Sequence, residues 1–589
     1  MRVSKHTHVN SLPLKIDRLT AWCQRNRFLN GFKLIVSLFI GLVPLILMLN
    51  FGPRIVRAES KDAPRTFFTS ASPAISPNDL PKSFALRATT VYTPPAYSPA
   101  VKTWGGPGAY TSASHVEVDD SGNIFVAGEF QGTVDFDPAH LHSNAIVTST
   151  NNTMDAFLSK FDSGRNFLWV RTWGGVVGRD AASAVDVDGN GNAYVAGLYQ
   201  GTVDFGAGFV YTSNAMPPAV PNPMNNIFVA KFNPAGVTQW VHTWGGTTGG
   251  EGYNLVVDRA NNAVYVQGDW STHPSTGTVD FNQNDPAHPA LRQNHGFYDA
   301  FLSKFDLNGN FVWNATWGGH GYDDGDSVAV DSSGNVYVSG MYGSTDINFD
   351  PAGGPAGLGH AHGGDPATDW LYVNVFLSKF DSQGSFKWVR TWGGLQTDDA
   401  GGAVVVDKLD NVYAGGRFNC TNCNFNGDPL GVPLTMTTSG RHDGFVSKYD
   451  SSGNFQWAKT WGGSTEEFVG GLLLNKAGNI YATGVVSGVI NPSTYAYTTA
   501  YSHIAELTSS GTTLWSGTWG VSGYDTFNSP PALDVAGNLY VAGSFENTVN
   551  FNTDGGTDNK TATGTGDAYL MKFIVQSLPR SIYLPLVVR

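Results

Sequence analysis

Short stretches that alternate apolar with small or polar residues recur along most of the chain. Between residues 182 and 244, four such runs read ASAVDV, AYVAGLY, NIFVAKF and QWVHTW. Alternation with a period of two predicts β-strands. Sequences such as VDSSGN and FDLNGN join the runs in pairs, and their Asp, Asn and Gly residues favour tight hairpins. The pattern therefore predicts units of four antiparallel strands.

The unit is repeated, because the phrase T-W-G recurs at intervals of 58 to 75 residues. Its tryptophans are Trp104, Trp173, Trp244, Trp317, Trp392, Trp461 and Trp519. The repeats begin at VKTW (101–104), which supplies only a fourth strand, and the last unit ends after DAYLMKF (567–573) with only its first three strands. Pairing these two ends would complete a seventh unit and remove the open sheet edges. We therefore predict an all-β, seven-bladed β-propeller of four-stranded blades, closed by pairing of the N-terminal strand with the C-terminal strands.

Two repeated side chains refine this prediction. Six copies contain W-x-x-x-W, a spacing that keeps both rings on one face of a strand. We expect them to wedge between blades, although exposed rings would instead offer stacking platforms for sugars. Copy six departs from the pattern at Glu506, where the other copies carry Lys160, Lys231, Lys304, Lys379, Lys448 and Lys572.

The repeated phrases resemble a known family. DAFLSKFDSGRN, VAVDSSGNVYVSG and W-x-x-x-W-G-G are similar to the SBBP-type β-propeller repeat of exported bacterial proteins, over residues 100 to 575. The resemblance implies a propeller and export from a bacterial cell. It supplies no common reaction and no catalytic residues.

Both ends differ from the repeat body. Residues 1–58 carry nine Lys/Arg and one Asp, and include the apolar run LIVSLFIGLVPLILMLNF at 34–51. This predicts a signal peptide cleaved after Ala58 or, if uncleaved, a transmembrane helix that anchors the chain. We predict a Pro/Ser/Ala-rich linker at 59–98, the propeller at 99–576 and a C-terminal tail at 577–589, in a secreted or cell-surface protein.

The charge balance limits the partners. The formal net charge is -13 although the leader is basic, so the remainder is strongly acidic. Nucleic acid is not a predicted partner, since phosphate contacts need a basic surface. An extracellular glycan or protein is predicted, with membrane contact only through the N-terminal segment, and the chain is predicted to be a monomer.

Long loops should share one face of the ring, opposite the tight turns, and loops on a rigid frame commonly carry binding. They open with a repeated Asp or Asn: Asp135, Asp204, Asp280, Asn348, Asn424, Asn491 and Asn550. These side chains would either accept a hydrogen bond that shapes each loop or, helped by Asp137, Asp350 and Asp428, bind a hard cation such as Ca²⁺. No other cofactor is predicted.

Two further groups have metal-binding chemistry. The same class of loop contains His140, His142, His288, His360 and His362, which suit either a transition-metal site or a solvated loop. Cys420 and Cys423 form a single C-x-x-C. This pair is interpreted as a local disulfide or as free thiols, with a metal site as the third alternative.

Catalytic motifs are missing from the sequence, which contains no G-x-S-x-G, H-E-x-x-H or P-loop. Acidic pairs follow the T-W-G phrase, namely Asp323/Asp324, Asp398/Asp399 and Glu466/Glu467. They are interpreted as solvated carboxylates rather than a glycosidase acid and base. The sequence thus favours a non-catalytic binding module; the alternatives are an extracellular polysaccharide hydrolase or lyase on a propeller, and a purely structural envelope scaffold.

Overall fold

The computed structural model describes residues 92–575, except 215–223, 247–248, 273–276, 355–356, 358–371, 395–396, 428–432, 488–499, 521–526 and 529. The described residues lie in one compact unit. The predicted leader, most of the linker, the tail, Asn491, Asp428, His360 and His362 fall outside the described residues.

The predicted seven-bladed propeller is confirmed. Six blades each contain four consecutive antiparallel strands in simple order. In blade 1 the strands are Tyr110–Val118, Ile124–Gln131, Asp155–Phe161 and Phe167–Trp173. In blade 2 they are Ala181–Val187, Ala193–Tyr199, Asn226–Phe232 and Thr238–Trp244. In blade 3 they are Gly249–Asp258, Ala263–Ser271, Asp299–Asp306 and Phe311–Trp317.

The next three blades have the same order. Blade 4 contains Asp323–Val330, Val336–Tyr342, Asn374–Phe380 and Phe386–Trp392. Blade 5 contains Ala400–Val406, Val412–Phe418, Asp443–Tyr449 and Phe455–Trp461. Blade 6 contains Glu467–Leu474, Ile480–Ser487, Ala500–Leu507 and Thr513–Trp519.

Blade 7 closes the ring with strands from both ends of the chain. Its first strand is split into Phe527–Asn528 and Ala532–Leu533, and these pair with Leu539–Phe545. The next strand, Asp567–Ile574, pairs on its outer side with Lys102–Trp104 and Ala96–Tyr97. The predicted closure is therefore confirmed, and the ring begins at Ala96 rather than at residue 99.

First strands of neighbouring blades contact one another and so surround the central channel. Tight hairpins join first to second and third to fourth strands on one face. In the first hairpin, Asp119 Oδ1 accepts hydrogen bonds from the Ser121 and Asn123 amides, at 2.9 and 2.8 Å. Gly122 has a φ of +82° there, which glycine adopts without steric cost. This explains the repeated Asp and Gly.

The opposite face carries the long loops, as predicted. Within the described residues, five of these loops contain a two-stranded ribbon. The ribbons pair Thr133–Asp135 with Ile146–Thr148, Thr202–Asp204 with Val210–Thr212, Thr278–Asp280 with Leu291–Gln293, Cys423–Asn424 with Thr435–Met436, and Thr548–Asn550 with Asn559–Thr561. Two short 3-10 helices, Ser143–Ala145 and Thr150–Asn152, lie in the first loop.

The predicted tryptophan wedges are confirmed. Trp173 at the end of blade 1 packs edge-on against Phe228 of blade 2, with ring centroids 5.7 Å apart. Trp244 makes the same contact with Phe301 of blade 3, also at 5.7 Å. Both tryptophans are buried, so these rings form inter-blade core and not sugar platforms.

In blades 1 to 5, the repeated lysine and the first tryptophan of the pair share one acceptor in the next blade. In blade 4, Lys379 Nζ and Trp388 Nε1 both donate to the Ser451 carbonyl of blade 5, at 3.0 and 3.3 Å. The ammonium also lies 4.8 Å from the centre of the Tyr337 ring and 3.5 Å from Asp331. The lysine thus joins each of blades 1 to 5 to the next blade.

No helix in the described ranges is long and apolar enough to cross a membrane. The span predicted at 34–51 lies outside those ranges.

Candidate functional site

The loop-opening Asp and Asn residues each shape a turn. In six described copies, the side-chain Oδ1 accepts the amide hydrogen of the residue two positions later, at 2.8 to 3.2 Å. These residues are Asp135, Asp204, Asp280, Asn348, Asn424 and Asn550. Each belongs to the loop of a different blade, so the structure does not bring them together. Their role as Ca²⁺ ligands stays a prediction.

One loop does gather several predicted residues. His140 and His142 place Nδ1 at 2.7 Å from Asp135 and Asp137. Burial acts to raise the pKa of Asp137, but hydrogen bonds from the Ala139 and Leu141 amides and from His142 outweigh it and lower the pKa. His288 is paired in the same way with Asp285 of its own loop, at 2.8 Å. The side chains of all three histidines are half or more exposed, as expected for solvated loops. In blade 4, Asp350 Oδ1 accepts the Ala352 amide at 2.9 Å.

The interpretation of the acidic pairs as solvated is wrong. Asp323 and Asp399 are fully buried, Asp324 is 2% exposed and Glu467 is 5% exposed. Asp323 accepts hydrogen bonds from the Gly319 amide at 2.8 Å and from Ser344 Oγ at 2.6 Å. It thereby ties the connection after the T-W-G phrase to the loop after the second strand. Burial raises the pKa of Asp323 and of Asp399 to about 7.

The C-x-x-C pair lies in the long loop of blade 5. Cys420 and Cys423 are joined in a disulfide with their Cα atoms 5.7 Å apart, and both residues are buried. Within the described residues, they and Asp399 are the one group that brings three acidic, Cys or His ligand atoms within 4.8 Å of one another.

Strand register aligns equivalent residues of the seven blades. This alignment shows the positions at which one blade differs from the others. At one position of the second strand, six blades carry small residues, namely Ala127, Ala196, Ser339, Gly415, Thr483 and Ala542. Blade 3 carries Gln267 there. No copy except blade 3 has a long side chain at this position.

The first strands, which line the channel, also depart from the repeat in blade 3 and in the neighbouring blade 4. The first strands of blades 1 to 6 each contain a bulge, and Ser or Gly occupies it in four of them: Ser114, Ser183, Gly402 and Gly470. Blades 3 and 4 have Tyr253 and Asp326. Two residues earlier they have Glu251 and Asp324, where the other four have Ser112, Ala181, Ala400 and Phe468. We call the group Glu251, Tyr253, Gln267, Asp269, Asp324 and Asp326 the blade 3–4 cluster.

Hydrogen bonds connect the cluster at the loop-bearing end of the channel. Tyr253 and Tyr322 donate to Asp269 Oδ2 at 3.0 and 3.3 Å. Tyr322 also lies 3.4 Å from Asp324 Oδ2. Burial and the neighbouring charge of Glu251 raise the pKa of Asp269 well above its usual range. Asp269 can therefore hold a proton near neutral pH.

Arg179 borders the cluster from blade 2. Its Nε lies 2.6 Å from Glu129 of blade 1, and its Nη1 lies 3.8 Å from Glu251. Arg179 is thus shared between Glu129 and Glu251, with the shorter contact to Glu129. The blade 3–4 cluster itself contains four carboxyl groups and no basic side chain.

A second polar group, between blades 5 and 6, is balanced in charge. Arg417 pairs with Asp398 at 3.4 Å, and Arg441 pairs with Glu466 at 2.6 Å. Buried His442 lies between the two carboxylates, at 3.7 and 3.6 Å. Burial acts to raise the pKa of Asp398 and of Glu466, but Arg417 beside Asp398 and the contacts of Glu466 with His442 and Arg441 outweigh it and lower both pKa values.

Sequence reasoning missed the blade 3–4 cluster because it looked for residues that recur. The cluster consists of residues that break the recurrence, and they lie on three strands of two blades. Comparing the copies position by position would have found Gln267, Tyr253 and Asp326 from the sequence alone.

The comparisons with known proteins found matches at low sequence identity. No protein-family model matches the chain. An uncharacterized WD repeat-containing protein of Acanthamoeba polyphaga mimivirus is 23% identical over 431 residues, which cover 64% of this chain and 30% of that protein. The chain thus spans less than a third of the length of this curated relative.

Solved structures with a similar arrangement share little sequence. An ulvan lyase, bound to a glucuronate–sulfated rhamnose unit, matches with a TM-score of 0.38 and 10% identity, covering 75% of this chain and 93% of the lyase. The WD40 domain of Neurospora crassa Pan2 matches with a TM-score of 0.30 and 8% identity, covering 83% of this chain and 99% of that domain. These matches have low TM-scores and are to chemically different proteins, so they carry no argument about activity.

Proposed function

We propose that the protein is an exported, non-catalytic binding module of the SBBP-type repeat family. It binds an extracellular glycan or protein through the long-loop face, at the mouth of the central channel. The tight-turn face repeats the same hairpin chemistry, whereas the long-loop face varies from blade to blade. Binding surfaces are commonly built from variable loops on a rigid frame.

The observation that carries this proposal is the sector of blades 3 and 4. In a repeat protein, each blade can be compared with the other copies at the same position. At the channel mouth, most copies carry Ser, Ala or Gly. Packing does not require Tyr253 or Asp326, since other blades form the same bulge with Ser or Gly. Their presence in one sector supports a ligand site there.

The enzymatic alternative, a polysaccharide hydrolase or lyase, has one observation in its favour. Asp269 is a buried carboxyl group with a raised pKa, and it accepts a hydrogen bond from Tyr253. Such a pair could exchange a proton with a bound sugar. A structural envelope scaffold is the third function to be tested.

The purified protein would be screened on extracellular glycans and envelope proteins, alongside Glu251→Ala/Tyr253→Ser, which copies blade 2. Leu409→Ser, at an exposed tight turn on the opposite face, is the control. We expect retention of a ligand by the wild type and by L409S, and its loss from the double variant. New reducing ends or unsaturated sugar ends would overturn the non-catalytic function, and absence of all retention would favour the scaffold.

A further inference from the structure

The blade 3–4 cluster gathers four carboxyl groups at one side of the channel mouth. Glu251 and Asp324 lie on first strands, Asp326 occupies a bulge, and Asp269 lies near the end of a second strand. Arg179, which lies 3.8 Å from Glu251, pairs more closely with Glu129. Several carboxyl groups gathered in one place favour a cationic ligand.

The carboxylates are too widely spaced to surround a single metal ion. Among the described residues, a group of three acidic, Cys or His ligand atoms within 4.8 Å occurs only at Asp399, Cys420 and Cys423. A hard cation requires several oxygen ligands close together. A larger cation with several N–H donors fits the spacing better.

Gln267 points independently to a ligand. It is fully buried, and neither its amide oxygen nor its amide nitrogen has a hydrogen-bond partner within the described part of the chain. An unmet buried polar group destabilises the folded state, and small residues replace this glutamine in the other six blades. Packing alone therefore does not account for it.

The Gln267 amide is directed at the acidic segment. Its Oε1 lies 2.5 Å from the position that a Cβ on Gly325 would take. Gly325 stands between Asp324 and Asp326, so the absence of a side chain there admits the amide oxygen to the cluster. This oxygen can accept from a ligand N–H.

Aromatic rings lead from the surface to the same place. Phe297 is 40% exposed and lies 5.9 Å from Tyr298, whose ring is 5.3 Å from that of Tyr322. Tyr322 contacts Asp269 and Asp324. Aromatic faces attract organic cations, so this path suits a charged group on an apolar stem.

We propose that the blade 3–4 cluster binds the protonated amine or guanidinium group of an extracellular ligand. This rests on the proposed binding function and names the chemistry recognised by its site. The cation would lie between the carboxylates and donate to Gln267 Oε1. A basic side chain of a protein and an amino sugar of a glycan share this chemistry.

Paired probes would separate the two sources and test the charge. Binding of Nα-acetyl-arginine amide would be compared with that of the isosteric citrulline amide, and a glucosamine oligomer with its N-acetylated form, by titration calorimetry at low salt. We expect each cationic member to bind about tenfold or more tightly than its neutral partner. The tighter of the two cations identifies the protein or the glycan source. Equal binding of charged and neutral partners, or preferential binding of Ca²⁺, would overturn the proposal.

Variants borrowed from other blades avoid failure to fold. Gln267→Ala copies blades 1, 2 and 7, and Asp326→Ser copies blades 1 and 2. Each should weaken cation binding about tenfold, whereas Asp285→Ser, in the exposed loop of blade 3, should leave it unchanged. An equal loss of cation affinity in D285S would show that the binding is general electrostatic attraction, and the proposal would be wrong. If Q267A raises the melting temperature and leaves the affinity unchanged, Gln267 holds only water and the proposal is wrong.

The outcome can be distinguished from that of the proposed function. A natural ligand that is retained by the wild type but not displaced by arginine amide or the glucosamine oligomer would overturn this inference and leave the binding function standing. Specific cation binding without retention of any extracellular glycan or protein would support this inference and overturn the proposed binding function.

Discussion

The hydroxyl of Tyr92 donates a hydrogen bond to Oε2 of Glu506, at 2.6 Å. In blades 1 to 5 a lysine occupies the position of Glu506 and donates to a turn carbonyl of the next blade. Blade 7 has no such turn, because its third and fourth strands come from opposite ends of the chain. The incoming N-terminal segment brings a donor instead, and blade 6 supplies the acceptor.

The first hairpin of blade 6 also differs from the other copies, in a way that fits Glu506. This hairpin begins with Asn475 where the other blades have Asp, and Asn475 and Asn479 donate to Glu506 Oε1 at 3.2 and 2.7 Å. The departure of copy six from the repeat is therefore explained by its place beside the closing blade.

Removing this closing contact should destabilise the ring. Tyr92→Phe leaves the buried Glu506 carboxylate without its hydroxyl donor, and we expect the free energy of unfolding to fall by about 1–2 kcal/mol. Urea denaturation measures the change. In a Glu506→Gln background the same substitution should cost distinctly less. Equal costs in both backgrounds would show that the two side chains are not coupled.

The lysine between blades should stabilise far more than a surface lysine of the same strand pair. Lys379→Met keeps the apolar stem but removes the donor to Ser451 and the partner of Asp331, and we expect a loss of about 2 kcal/mol. Lys387→Met is the matched control, because its side chain is 45% exposed and its pair with Asp381 should contribute less than about 1 kcal/mol. Comparable losses in denaturation midpoint would contradict the role of Lys379.

Stability should increase on mild acidification. Burial raises the pKa of Asp180, Asp323 and Asp399 to about 7, above a value of about 4 in the unfolded chain. The folded state then binds more protons between these values, so the contribution is full below about pH 4 and is lost as the pH rises towards 7. The melting temperature should be higher at about pH 5 than at about pH 7.5, and Asp323→Asn should reduce the difference. A melting temperature that rises towards neutral pH would contradict this.

The aspartates of the tight hairpins should limit how far acidification raises the stability of the fold. Burial acts to raise the pKa of Asp188, Asp331 and Asp407, but hydrogen bonds from the turn Asn and backbone outweigh it and lower the pKa. Their contribution is present above about pH 4 and is lost as the pH falls through their folded values. Calorimetric scans across the acid range should therefore show a maximum and then a decline.

The C-x-x-C pair should be oxidised in the folded protein. Alkylation under denaturing conditions without reductant, followed by mass spectrometry, should leave Cys420 and Cys423 unmodified. Replacing both by Ser should lower stability by about 2 kcal/mol, the loop-closure term for so short a loop. Two alkylated thiols in the untreated protein would show that the prediction of a disulfide is wrong.

The sequence predicted the scaffold because scaffold chemistry recurs. Asp119 and Gly122 mark a hairpin through local hydrogen bonding and positive φ, and Trp173 marks an inter-blade wedge, so each copy strengthens the same assignment. The candidate site depends instead on which side chains meet between blades. Tyr253 and Tyr322 come from different blades and converge on Asp269 only through strand register and a bulge, which residue spacing does not reveal. For the same reason the burial of Asp323 was missed, since its partner Ser344 lies across the blade.

The outer edge of blade 7 comes from Lys102–Trp104, and the strand beside it from Asp567–Ile574. The ribosome synthesises Lys102–Trp104 long before Asp567–Ile574. The N-terminal strand therefore cannot pair until nearly all of the propeller has been synthesised. A chain cut short before residue 567 would keep two bare sheet edges, open to proteases and to other chains. Only a chain synthesised through residue 574 can cover these edges, so ring closure depends on both of these distant strands being present.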